Sequence, residues 1–355
     1  ALSEHYAVER FSMETYKAKA DGSPDIEDMV RRLNSFDLAV VAKPTKAFSE
    51  LDKYLLDQFL MGGGHLMWFV DGVHAEMDSL SFGPEFLAYP TYFDLNLTDL
   101  LFKYGVRVNT NLLQDIRCAG INDRRSINPW VYFPLLGPTA HPAVANLNAV
   151  KGEFVSTLDT LEAPGILKTP LLLSSTNAKS TPAPHTVSLE TLYNRPDPRT
   201  FRSKDLLAGV LLEGSFESAY ANRIAPRTAG NALPQIKESA PTSIAVFSDG
   251  DIIRNQVNLI NPELPRGQPL PLGFDQYTNI QYGNDDLLLN LADYMLDDRG
   301  LMETRTRDIK LRLLSEEKLT NEAAKWKAIN VALPEVLLLL IAGMLTLYRR
   351  RKYAR

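Results

Sequence analysis

Asp37-Leu-Ala-Val-Val-Ala-Lys-Pro44, and after it His65-Leu-Met-Trp-Phe-Val-Asp-Gly72, are the stretches whose reading decides the fold. Each opens with a short apolar run rich in β-branched or aromatic residues, the pattern of a strand buried on both faces. Pro44 ends the first run. Between the two, Phe48, Leu51, Tyr54, Leu55 and Phe59 recur at helical spacing, with Lys46, Glu50, Asp52, Lys53 and Asp57 on the other side. Gly62-Gly63-Gly64 stops this helix, because glycine tolerates left-handed cap geometry. The unit reads strand, helix, strand.

Working outward, Leu97, Leu100, Leu101 and Tyr104 mark a second helix that stops at Gly105. Glu153–Thr157, Pro170–Ser174, Ala208–Leu212 and Ser243–Phe247 are further strand candidates, and Asp285–Leu296 is an amphipathic helix. His5–Phe11 is also strand-like. Long proline-bearing stretches, Asn177–Arg202, Ala225–Thr242 and Asn261–Asp275, read as loops that are either disordered or used for binding. The alternation predicts an α/β domain over residues 1–300, with an open, mostly parallel, Rossmann-like sheet. A division into two subdomains near residue 150 stays open.

The C-terminus follows a different rule. A charged connector helix is expected over residues 301–328, its charged face clearest from Leu311 to Lys327. It leads into an apolar run, Ile329–Tyr348, and a basic tail, residues 349–355. About 20 apolar residues at ~1.5 Å each match a hydrocarbon core of ~30 Å. Trp326 and Tyr348 bracket the run, where amphipathic aromatics favour the headgroup layer. The cationic tail keeps to the cytoplasm, which leaves everything before Ile329 on the far side. Pro334-Glu335 is the costly point, since a carboxylate at mid-membrane costs at least ~2.5 kcal/mol. About one and a half turns into the span, Glu335 lies close enough to the interface to be partly hydrated or protonated. An amphipathic C-terminal helix on a soluble domain is the alternative reading. The chain opens at Ala1, without Met or an apolar leader, and reads as a fragment.

Composition narrows the function classes. With 38 basic against 43 acidic residues and no basic stripe outside the tail, a nucleic-acid partner is not expected. The single cysteine, Cys118, cannot form an intrachain disulfide and reads as a buried small hydrophobe. The five histidines never reach metal-ligand spacing, so no metal or cofactor is expected. G-x-S-x-G, P-loop and G-x-G-x-x-G motifs are all missing from the sequence, which argues against ATP hydrolysis through a P-loop.

The candidate residues lie where strands run into acidic turns. Asp71-Gly72 follows one buried strand, and Asp249-Gly250-Asp251 with Arg254 and Asn255 follows another. Ligands of open α/β sheets bind outside the carboxyl ends of strands. Carboxylates there could hold a metal, a sugar hydroxyl or a partner's cation, or else cap the next helix. Asp71 would join Asp249 and Asp251 if their strands are neighbours. Glu213-Gly214 repeats the strand-to-glycine-turn design and joins the candidates, with a structural role as its simplest reading.

Many of these segments resemble the gliding-motility-associated ABC-transporter accessory family called GldG. They include Asp37–Pro44, Phe69–Leu80, Leu101–Arg107, Tyr132–Leu136, Leu211–Ser218, Ser248–Gln256, Pro271–Tyr277, Tyr282–Asp286 and Arg305–Leu314, in order along nearly the whole chain. The resemblance implies an inner-membrane protein of gliding Bacteroidetes-type bacteria, working beside a separate ATPase and a permease. It also implies an intraflagellar-transport-like module with a glutamine-amidotransferase-like sheet, and a further N-terminal membrane helix that this chain lacks. Glu335 departs from the uniformly apolar span of the family, which offers no catalytic residues to carry over. The expectation is a non-enzymatic, membrane-anchored accessory subunit whose bulk is periplasmic, in contact with permease, ATPase or envelope proteins. An amidotransferase- or hydrolase-like enzyme and a solute-binding module are the alternatives.

Overall fold

The computed structural model describes residues 1–13, 25–91, 95–122, 126–194, 196–223, 235–297, 299–300, 302 and 316–354. Two compact units divide the chain, Ala1–Thr306 and Arg307–Arg355.

The first unit is built on an eight-stranded sheet: β1 (Leu38–Ala42), β2 (His65–Phe69), β3 (Cys118–Asn122), β4 (Ile127–Pro138), β5 (Val150–Lys151), β6 (Ile166–Leu173), β7 (Leu207–Gly214) and β8 (Thr242–Phe247). Their order in space is β1-β2-β8-β7-β6-β4-β3, with β5 beside β4, and the sheet curls into a half-barrel. Helices α1 (Ile26–Leu33), α2 (Glu50–Met61), α3 (Thr98–Tyr104), α4 (Glu190–Tyr193) and α5 (Asn284–Met295) surround it.

The expected strand–helix–strand unit is β1-α2-β2, with β1 and β2 parallel. Ser49 and Asp52 form a reciprocal capping box at the start of α2, satisfying two of the N–H groups a helix start leaves free. Gly105 takes the left-handed geometry (φ 97°) that ends α3. Alternation along the central strands sends Leu66, Trp68, Val210, Leu212, Ile244 and Val246 to one face, where α1, α2 and α3 cover them. Met67, Phe69, Leu211, Ala245 and Phe247 face the other way, against Leu287, Leu288 and Leu291 of α5. Both faces are therefore dry, as the continuous apolar runs predict.

The mostly parallel sheet is corrected. Only β1–β2 and β2–β8 are parallel, whereas β8–β7, β7–β6, β6–β4, β4–β3 and β4–β5 are antiparallel. Parallel neighbours need a long crossover, usually a helix. Between β3 and β8 the described residues contain only the four-residue α4 as an α-helix, so the chain returns directly.

Glu153–Thr157 is not a strand. Phe154 donates to Tyr132 (2.9 Å), Ser156 donates to Ser248 (3.1 Å) and the Val155 carbonyl accepts from Leu113 (2.7 Å). Three different neighbours leave no ladder, and Phe154 sits at φ 56°. His5–Phe11 is likewise irregular from Ala7 onward. The stretch 177–202, expected to be loop, contains strands Ala178–Pro182 and His185–Ser188 together with α4.

The second unit contains α6 (Glu316–Tyr353), a single helix that runs through Pro334. Its apolar side chains from Val331 to Tyr348 are exposed, with Leu339 at 73% and Leu338 at 67%. Residue 301 and residues 303–315 of the expected connector lie outside the described residues.

Candidate functional site

Three chain segments end side by side at one edge of the sheet. Because β2 and β8 pair in parallel, Phe69 to Phe247, the residues just beyond them emerge together. Asp71 therefore meets Asp249 and Asp251, and one oxygen of each carboxylate lies within 4.8 Å of the others. Lys43, directly after β1, completes the group. Its Nζ lies 2.7 Å from Asp251 Oδ2, 3.5 Å from Asp71 Oδ2 and 3.7 Å from Glu76 Oε1.

Backbone donors fix the carboxylates. Asp71 Oδ1 accepts from the Gly250 N–H at 2.6 Å. Asp249 Oδ1 accepts from the Asp251 N–H at 2.7 Å, and its Oδ2 from the Glu153 N–H at 2.8 Å. Asp249 is 1% exposed. Gly250 has to be small, because a Cβ there would lie 2.6 Å from Cβ and Cγ of Lys43. Arg254 donates to Asp251 Oδ1 at 3.2 Å, and Asn255 Nδ2 to the Leu270 carbonyl at 2.8 Å. Both residues are exposed.

Burial pushes the Asp249 carboxyl well above the ordinary carboxylate range, and Asp251 and Asp71 add to the rise against the opposing Glu153 and Asp251 N–H groups. Burial likewise raises Asp71, with Lys43 pulling back without reversing the direction. For Lys43, burial alone would lower the ammonium, but Asp71, Asp251 and Asp249 together drive it above its ordinary value.

Among the described residues, Asp71, Asp249 and Asp251 form a group able to hold a divalent cation. Such an ion would compete with Lys43, the cation the protein itself places there. The arrangement works as an electrostatic latch between the ends of β1, β2 and β8. Arg254, Asn255, Glu76 and one side of Asp71 are its outward parts.

Glu213 lies elsewhere. It pairs with Ser243 at the start of β8, six positions before Asp249, or about 20 Å at ~3.3 Å per residue. There its Oε1 accepts from the Tyr294 hydroxyl at 3.1 Å, beside a pocket of about 270 Å³ that His65, Thr242 and Ser243 also line. Ser243 Oγ and His65 Nδ1 are 2.8 Å apart, and Thr242 Oγ1 reaches the same nitrogen at 3.2 Å. A hollow of about 740 Å³, lined by Arg117, Thr139, Ser175 and Asn177 among others, shares no residue with the aspartate group. Lys43 and Glu76 were missed from the sequence. The strand-end rule that selected Asp71 applies equally to Lys43, which follows β1 directly.

Comparison with known proteins gives one family and one weak structural likeness. The family model described as "ABC-type uncharacterized transport system" matches residues 1–291. No curated protein matches the chain. A solved structure described as "mmIFT52 N-terminal domain" aligns at 13% identity over 76% of this chain and 81% of its own, with a TM-score of 0.39. That likeness is too low to assign a fold.

Proposed function

Because the chain belongs to the ABC-type transport-system family matched over residues 1–291, we propose that it is a non-enzymatic accessory subunit held in a bacterial inner membrane by α6. The observation that carries this reading is the exposed apolar surface of α6. Some 20 residues with mean hydropathy high enough to cross a bilayer stand uncovered before Arg349, Arg350, Arg351 and Lys352. Lipid covers such a surface at the least cost. The basic tail would lie in the cytoplasm and residues 1–300 in the periplasm, with 301–328 as connector and 329–348 as the span.

In this reading a separate ATPase supplies the energy and a permease the pathway, while this chain contributes binding surface. Arg254 and Asn255 would face the partner, and Asp71, Asp249, Gly250 and Asp251 would hold that turn in shape. The gliding-motility assignment, the GldG name and an amidotransferase-like origin of the sheet rest on the sequence resemblance.

Affinity isolation of the tagged full chain from membranes in mild detergent tests the proposal. Recovery of an ABC ATPase with its permease, lost on deletion of residues 329–355, is the expected result. Isolation of the chain alone from the soluble fraction would refute it. Among the described residues, the Ser243–His65 contact is the observation that favours an enzyme. Ester or amide turnover abolished by Ser243→Ala would favour that second reading.

A further inference from the structure

Within the apolar run of α6, Glu335 lies six residues past Ile329, or about 9 Å into hydrocarbon at ~1.5 Å per residue. It is exposed, and its neighbours one turn away, Val331, Leu338 and Leu339, offer it no donor. The preceding residue adds a second polar demand. Pro334 lies inside the helix and has no N–H, so the Asn330 carbonyl loses its normal intrahelical donor. In lipid both acceptors have to be satisfied by protein or water.

The helix is also asymmetric about this point. At about 100° per residue, Ala342 and Thr346 fall within about 20° of Glu335, with Val331 and Leu339 about 40° and Leu338 about 60° to its sides. Leu333, Leu337, Leu340 and Met344 gather on the opposite side, where all four are exposed by half or more. Thr346 Oγ1 bonds back to the Ala342 carbonyl, which keeps the hydroxyl against its own helix. Small and polar residues along one face let a second helix approach closely, and large aliphatic residues suit lipid. An ionisable residue on such a face is paired inside a membrane rather than left to the acyl chains.

We propose that the Glu335 face of α6 docks a transmembrane helix carrying a cationic or other strong hydrogen-bond donor at the same depth, contributed by the permease of its own transport system. This rests on the reading of α6 as a membrane span. Charge complementarity selects the partner: a carboxylate and a bare carbonyl in hydrocarbon need a donor, and a second copy of α6 would present another carboxylate instead.

A photo-crosslinking residue placed in turn at 331, 338, 333 and 340 of the full chain, co-expressed with that permease in native membranes, tests the proposal. Crosslinks to the permease from 331 and 338 should exceed those from 333 and 340 by about tenfold. Glu335→Leu should cut permease recovery by about tenfold while the variant stays in carbonate-washed membranes, and Glu335→Gln, which keeps a carbonyl acceptor, should lose less. Undiminished recovery with Glu335→Leu, equal crosslinking around the helix, or crosslinks only to a second copy of this chain would each overturn the proposal. If carbonate releases the wild-type chain, the membrane span itself fails, and the docking face fails with it.

Discussion

Replacing Lys43 by Met removes the ammonium lying 2.7 Å from Asp251 and 3.5 Å from Asp71. The substitution keeps an unbranched side chain, one atom shorter, and the backbone at φ 44° is strained equally before and after. What changes is the charge. The Asp251 side chain is 5% exposed and that of Lys43 17%, so the carboxylates are left with little water in place of their partner. Removing one member of a buried pair costs about 3–5 kcal/mol, and the partial exposure of Lys43 argues for the lower end, about 3 kcal/mol. With an unfolding entropy near 2.1 cal/mol/K per residue, a domain of about 300 residues should lose about 5 °C in Tm.

The pH dependence follows from the shifts. The raised folded-state value of Lys43 means that its contribution is complete below its unfolded value and is lost only as pH rises through the folded one. Between pH 5 and 8 the wild type therefore keeps it in full. In Lys43→Met the Asp71 carboxyl, already raised by burial, loses the pull of Lys43 and rises further. The folded state then holds more protons than the unfolded one, and the variant regains stability as pH falls. Thermal unfolding of residues 1–306, followed by circular dichroism at pH 8 and pH 5, should show a deficit that narrows at pH 5. A Tm within about 1 °C of wild type, or a deficit equal at both pH values, would refute the latch.

Three other substitutions probe how the domain holds its turns. Asp57 is fully buried and accepts from Tyr104 Oη, Ser218 Oγ and the Ala219 N–H; Asp57→Ala strands these donors and should cost about 3 kcal/mol or more, read from a urea midpoint. Gly250→Ala should cost about 1–3 kcal/mol through its clash with Lys43, and the same substitution should cost less in a Lys43→Gly background, where the clashing Cβ and Cγ are gone. Asn258, 2% exposed, ties its loop through the Asn261 and Leu264 carbonyls and the Asn261 N–H; Asn258→Ala should speed proteolysis between residues 258 and 267 with little change in Tm, as befits a local opening.

The β1-α2-β2 unit was legible because its apolar runs and helical spacing agree with one another and with the Gly62–Gly64 stop. The meeting of Asp71 with Asp249 followed from the same rule, since both residues trail strands buried on both faces. Strand direction was not legible. Glu213 looked like Asp249, a carboxylate before a glycine at the end of a strand, but β7 runs antiparallel to β8. The same local pattern therefore emerges at the opposite edge of the sheet. β4 escaped notice because Pro129, Pro134 and Pro138 interrupt it, and proline normally argues against a strand interior. Lys43 is hidden by its neighbour, since Pro44 marks the end of the strand and nothing local sets Lys43 apart from an ordinary terminal residue.

Side-specific thiol labelling tests the central claim most directly. In a Cys118→Ser background, one cysteine replaces Lys352 in the tail or Arg254 on the exposed turn, and intact spheroplasts are treated with a membrane-impermeant maleimide. Label on the Arg254→Cys chain at once, and on the Lys352→Cys chain only after permeabilisation, is the result the account expects. Label at both positions in intact cells, or at neither until the membrane is opened, would contradict a chain that crosses the bilayer through α6.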